Sequence, residues 1–162
     1  MTTQNQPARG LWPAILRAGL LAGTLDISSA FIKYLIEGKK NPEIILKYIA
    51  SGVMGRPAMQ GGWDIAALGL LLHYVIAFIF TILLFWLYPR LKLVRFHPLL
   101  IGALYGIFTW LVMNLMVVPY SKVPKATGPF NWNQAIIGAL ILIVCIGIPV
   151  SFLARKYYLY KK

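Results

Sequence analysis

The sequence predicts an all-α polytopic membrane protein with four transmembrane helices and one short interfacial amphipathic helix. Of its 162 residues, 59% are hydrophobic and only 12% charged, with mean hydropathy +0.71. A soluble domain of this size has too little polar surface left to face water. Four apolar runs, at about 11–36, 63–88, 98–119 and 131–154, each reach the roughly 20 residues a helix needs to cross the hydrocarbon core. Trp12, Trp63, Trp86, Tyr88, Tyr120 and Trp132 fall near the ends of those runs, where amphipathic rings anchor at the bilayer interface.

Residues 1–10 are polar and expected to be disordered, residues 11–156 form one transmembrane domain, and 157–162 a basic tail. The first run stops at Glu37, Gly38, Lys39 and Lys40. Arg9, Arg17 and the small residues of ISSA (Ile27 to Ala30) imitate a signal peptide. The run is too long for one, however, and Asp26 interrupts it, so it is read as a retained helix. NPEIILKYIASG then predicts a short helix over about 42–52, with Asn41 as N-cap, Pro42 at the first position and Gly52 ending it. Glu43, Lys47 and Ser51 recur every four residues among Ile44, Ile45, Leu46, Tyr48 and Ile49, the pattern of a helix lying on a membrane surface. VMGRPAMQGG (53–62) reads as a surface loop, with a re-entrant turn as the alternative. YPRLKLVRFHP is short enough to force spans two and three antiparallel. PYSKVPKATGPFNWN, with three prolines, joins spans three and four without helical period.

Lysine and arginine number 16 against 4 acidic residues, a formal charge of +12. The basic residues sit at the ends of the apolar runs and not in one stripe, which argues against nucleic acid and leaves the lipid bilayer as the partner. Arg9, Arg17, Arg90, Lys92, Arg95, Arg155, Lys156, Lys161 and Lys162 fall on the side of the termini. Lys33, Lys39, Lys40, Lys47, Arg56, Lys122 and Lys125 fall on the other. The small excess, dense in the short 90–95 loop, places both termini in the cytoplasm. The single cysteine, Cys145, lies mid-span as a core or lipid-facing residue, so neither a disulfide framework nor a CxxC metal site is expected.

GLLAG (Gly19 to Gly23) and GALYG (Gly102 to Gly106) open spans one and three with GxxxG, while WDIAALG and WNQAIIG open spans two and four with a shared frame. Two tandem helical hairpins would produce this echo, as would the ordinary recurrence of tryptophan anchors and small residues. Small residues let helices approach closely. Gly19, Gly23, Gly69, Gly102 and Gly106 are thus the expected packing positions, one GxxxG frame inside the protomer and the other facing a second copy in a homo-oligomer.

GTLDISSAFIK (Gly23 to Lys33) places a carboxylate within the first span. At about 100° per residue, Gly19, Gly23, Asp26, Ala30 and Lys33 share one face, opposite Leu21, Leu25 and Ile32. Asp26 therefore looks at protein, and Lys33, two turns on, is expected to snorkel to the interface. His73 shares its face with Gly62, Ala66, Gly69 and Ala77. Asp26 and His73 both lie about 15 Å below the same membrane surface. Asn114, on a face with Ala103, Ile107 and Trp110, and Ser29 complete a candidate polar cluster. Centring an aspartate in a membrane helix costs about 2.5–3.5 kcal/mol, so Asp26 needs a reason. Four readings compete: a neutral acid bonding a neighbouring helix, an ion pair with His73, a proton or cation site, and a catalytic acid. The catalytic reading lacks its parts, since there is no HExxH, GxSxG, GxGD or P-loop, and Ser28 and Ser29 are expected to bond carbonyls one turn back.

GLLAGTLDISSA, the GxMGxxAxQGG frame before ALGLLLHYVIA, and YG…MN…VVP together resemble the YagU-like group of small bacterial inner-membrane proteins. That resemblance implies a four-helix bacterial membrane protein and no particular chemistry. The reading reached is an integral inner-membrane protein, not an enzyme and without cofactor, that passes or senses protons or small cations through its polar cluster. The competing reading is a structural or assembly protein whose polar residues only hold the bundle together.

Overall fold

The computed structural model describes residues 10–124 and 131–160. Five helices follow in order: α1 (Leu11–Ile36), a shorter α2 (Glu43–Met54), α3 (Trp63–Arg90), α4 (Pro98–Tyr120) and α5 (Trp132–Leu159). All but α2 are long and apolar enough to cross a membrane. Leu20, Leu25, Leu71, Ile79, Leu104 and Leu140 stand exposed around the bundle, a belt of large apolar side chains that lipid covers favourably. The chain is a multi-pass integral membrane protein. Four crossings bring Gly10 and Tyr160 to one end of the bundle, the termini end, and α2 to the other.

Several boundaries differ from expectation. α5 continues as helix to Tyr160, so the expected tail begins inside it, and 161–162 lie outside the described residues, as do 1–9 of the expected disordered N-terminus. Pro42, not Asn41, precedes the first turn of α2, and no side chain caps it. α2 also runs through Gly52 and stops at Gly55, whose φ of +76° suits a residue without a Cβ. The expected 53–62 loop holds the last turn of α2 and a 3₁₀ turn, Arg56–Gln60.

α1 packs against α3 and α5, α4 packs against α5, and α2 lies on α3. Gly69 makes the α2 seat: a Cβ there would overlap the Leu46 carbonyl, so only glycine lets the two backbones meet. Leu46, Ile27 and Ala66 then close a small apolar cluster. Gly19 and Gly23 serve α3, where added Cβ atoms would meet the Phe78 and Tyr74 rings. Gly102 and Gly106 serve α5, facing the backbone at Ile148 and Ile143. Both GxxxG frames therefore pack inside the protomer, which revises the expectation that one faces a second copy.

The main core fills the termini end, around Leu84, Phe85, Tyr88, Tyr105 and Val150. There α3 and α4 are tied by the Tyr105 hydroxyl, which donates to the Phe80 carbonyl at 2.5 Å. Tyr158 ties α5 to α3 by donating to the Phe85 carbonyl at 2.8 Å. Tyr105→Phe keeps the ring and removes the donor, and is expected to lower bundle stability by about 0.5–1.5 kcal/mol. Unfolding of the purified chain in mild detergent measures it; an unchanged midpoint would mean that the bond contributes nothing net.

Candidate functional site

The site begins with what glycine permits between α1 and α3. A Cβ on Gly23 would sit 2.9 Å from the Tyr74 ring and 3.3 Å from the Ala77 methyl. Its absence lets the buried His73 ring reach the α1 backbone, where Nε2–H donates to the Gly23 carbonyl at 2.8 Å. A carbonyl can only accept, so the proton on Nε2 is fixed and, in the neutral ring, Nδ1 is left as an acceptor. Beside it, the Thr24 and Tyr74 hydroxyls share a second bond across the same interface at 2.8 Å.

Asp26 follows one turn later on the same stripe, half-buried and within electrostatic reach of His73. The two side chains form no direct hydrogen bond, because the imidazole donor is committed to Gly23. Ser29 donates to the Asp26 backbone carbonyl at 2.7 Å, within its own helix. The Cys145 thiol of α5 stands beside Ser29 and within electrostatic reach of the Asp26 carboxyl, so a residue expected only as core or lipid-facing borders the cluster. Asn114 donates to the Trp110 carbonyl one turn back at 2.9 Å.

Lys33 belongs to a different group. Its ammonium bonds Glu37 at 2.9 Å and Gln134 of α5 at 2.5 Å, and Lys39 bonds the same Glu37 carboxylate at 2.7 Å. This places Lys33 at the α2 end, away from Asp26. Hydrogen bonds from Lys39 and then Lys33 hold the Glu37 carboxyl down, at about 2 against an ordinary 4.5. A depressed carboxyl contributes stability that is present above its unfolded value and lost as pH falls through its folded one. The contribution is therefore complete above pH 4.5 and disappears only towards about pH 2. A carboxyl ¹³C titration of Glu37 should show an ionised group down to about pH 3, moving back towards the ordinary value in high salt because the group is exposed. A normal midpoint at low salt would break the assignment. Responses between pH 5 and 8 must then come from elsewhere in the molecule.

Towards the α2 end, the space between α3 and α4 is a cavity of about 390 Å³. His73, Ile76 and Phe80 of α3 form one wall and Thr109, Met113 and Asn114 of α4 another. Asp26 enters from α1, Ile146 from α5, and Tyr48 and Val53 from α2. Three of the expected cluster residues, Asp26, His73 and Asn114, thus share one largely apolar chamber.

Two π-helical segments, Met113–Val117 in α4 and Ile143–Gly147 in α5, contribute to its walls. Each begins six residues before a proline, Pro119 or Pro149. Proline removes an N–H and crowds the carbonyl four residues back, and a widened turn relieves both. Such segments recur at functional sites. The signal was present in the sequence as two prolines in the same register.

No protein-family model, no curated protein and no solved structure matches this chain.

Proposed function

We propose that this is a bacterial inner-membrane protein, both termini cytoplasmic, that passes or senses protons through the chamber at Asp26 and His73. The resemblance to YagU-like proteins supports the membrane, and the basic 90–95 loop supports the orientation. The observation carrying the functional reading is that an intramembrane carboxylate and an imidazole line the same cavity. A proton needs one acceptor, which Asp26 or His73 Nδ1 supplies. A bare metal ion such as Ca²⁺ needs about six to eight oxygens, and the largely apolar wall offers far fewer. A proton therefore fits the chamber better than a metal ion.

Proteoliposomes test the reading. Wild-type protein should dissipate an imposed pH gradient faster than protein-free vesicles, and Asp26→Asn should return the rate to the vesicle baseline. Equal rates for wild type and variant would remove Asp26 from any proton path. One observation favours the second reading, a structural or assembly role: His73 stitches α1 to α3 directly. On that reading wild type and variant both stay at baseline, and only stability changes.

A further inference from the structure

We propose that the chamber binds a monovalent organic cation with a compact apolar body, an alkyl- or arylammonium, seated with its charge at Asp26. The inference rests on the reading of Asp26 as a cation-accepting group and adds to it the class of ligand. Charge comes first. Asp26 is the one carboxylate in the wall, no lysine or arginine lines it among the described residues, and the donor nitrogen of His73 is already bonded to Gly23. The chamber therefore offers a carboxylate to a cation and neither lysine nor arginine to an anion.

The rest of the wall decides which cation. Ile76, Met113 and Ile146 would strip water from a hydrated inorganic ion without replacing it. An ammonium carrying carbon substituents is weakly hydrated and gains from the same surface. Phe80 and Tyr48 add aromatic rings, which attract such cations, and the Met113 thioether adapts to irregular shapes. The volume, about 390 Å³, lies at the lower end of small-ligand sites. Val53, Asn114 and Val117 line the chamber and are also exposed, so it has a way in. A lipid acyl chain would fill the apolar part and leave Asp26 unused.

Equilibrium dialysis of the full chain in mild detergent, corrected for empty micelles, tests this with three probes of one shape. They are benzyltrimethylammonium, its neutral carbon isostere neopentylbenzene, and the anion phenylmethanesulfonate. The cation should bind saturably, the isostere at least about tenfold more weakly, and the anion not at all. Asp26→Asn should weaken the cation by about tenfold or more and leave the isostere unchanged, while Asp26→Glu retains most of the affinity. Should Asp26→Asn fail to fold, Val117→Trp narrows the exposed rim with Asp26 intact and should also reduce cation binding. Equal binding of cation and isostere, saturable anion binding, no saturable cation binding, indifference to a folded Asp26→Asn, or, where that variant does not fold, indifference to Val117→Trp would overturn the proposal. Proton flux measured on the same preparations separates the two readings. Flux without cation binding overturns the ligand class alone, and cation binding without flux overturns proton passage alone.

Discussion

Gly147→Leu is expected to separate α4 from α5 and to cost the bundle about 3 kcal/mol or more, the upper end of overpacking penalties. The reason lies in what would have to move. A Cβ at Gly147 overlaps the Gly102 carbonyl and comes within 2.9 Å of the Gly106 nitrogen. Backbone, unlike a side chain, has no alternative rotamer. Gly106→Leu meets Ile143 from the other side and should behave alike. Two contrasting substitutions show that the effect is steric and not a general intolerance of change. A Cβ at Gly138 comes no closer than 3.2 Å to the Trp110 indole, which can shift, so Gly138→Ala should be nearly neutral. At Gly52, inside α2, the nearest atom is 3.7 Å away. Gly52→Ala should accordingly stabilise by about 0.5–1 kcal/mol through lower chain entropy. Detergent unfolding of all four variants gives the order directly; a Gly147→Leu variant as stable as Gly138→Ala would mean that α4 and α5 do not touch backbone to backbone.

That contact also carries the chamber, since Gly147 closes the π segment whose Ile146 lines it. Neither the contact partner nor the chamber was legible beforehand, and the reasons differ. The spans were legible because a bilayer imposes a length and a hydropathy on any helix that crosses it. The α1 stripe was legible because Gly19, Gly23 and Asp26 keep one helical period, and Leu21, Leu25 and Ile32 are indeed exposed on the far side. The end of α2 was misplaced because glycine serves equally inside a helix and after it. Only its φ distinguishes Gly52 from Gly55. Lys33 shares the face of Asp26, but its long stem reaches Glu37 and Gln134 at the end of the span, in line with the snorkelling its position predicts. The chamber is empty space between α3 and α4, and no residue pattern encodes space. The level of His73 was legible from counting residues; its partner was not, because that partner is a backbone carbonyl, and backbone has no sequence.

The His73 bond therefore yields the sharper test of how the site is built. His73→Leu should destabilise the bundle by about 1–2 kcal/mol, the range for a hydrogen bond lost between membrane helices. Two double-mutant cycles then locate the bond. His73→Leu and Gly23→Ala act on the same contact, the second by pushing Tyr74 and the ring away from the carbonyl. Once one is made the other has less to remove, so their combined cost should fall clearly below the sum. His73→Leu with Asp26→Asn removes only a through-space interaction, and the shortfall should be smaller. The ranking should also hold at pH 5 and at pH 8. Nε2 carries a hydrogen both in the neutral tautomer that a carbonyl partner requires and in the imidazolium, so the Gly23 bond survives either charge state, whereas attraction to Asp26 requires a charged ring. Stronger coupling to Asp26 than to Gly23 at both pH values would move the imidazole donor onto the carboxylate and make the pair, not the helix backbone, the structural centre of the site.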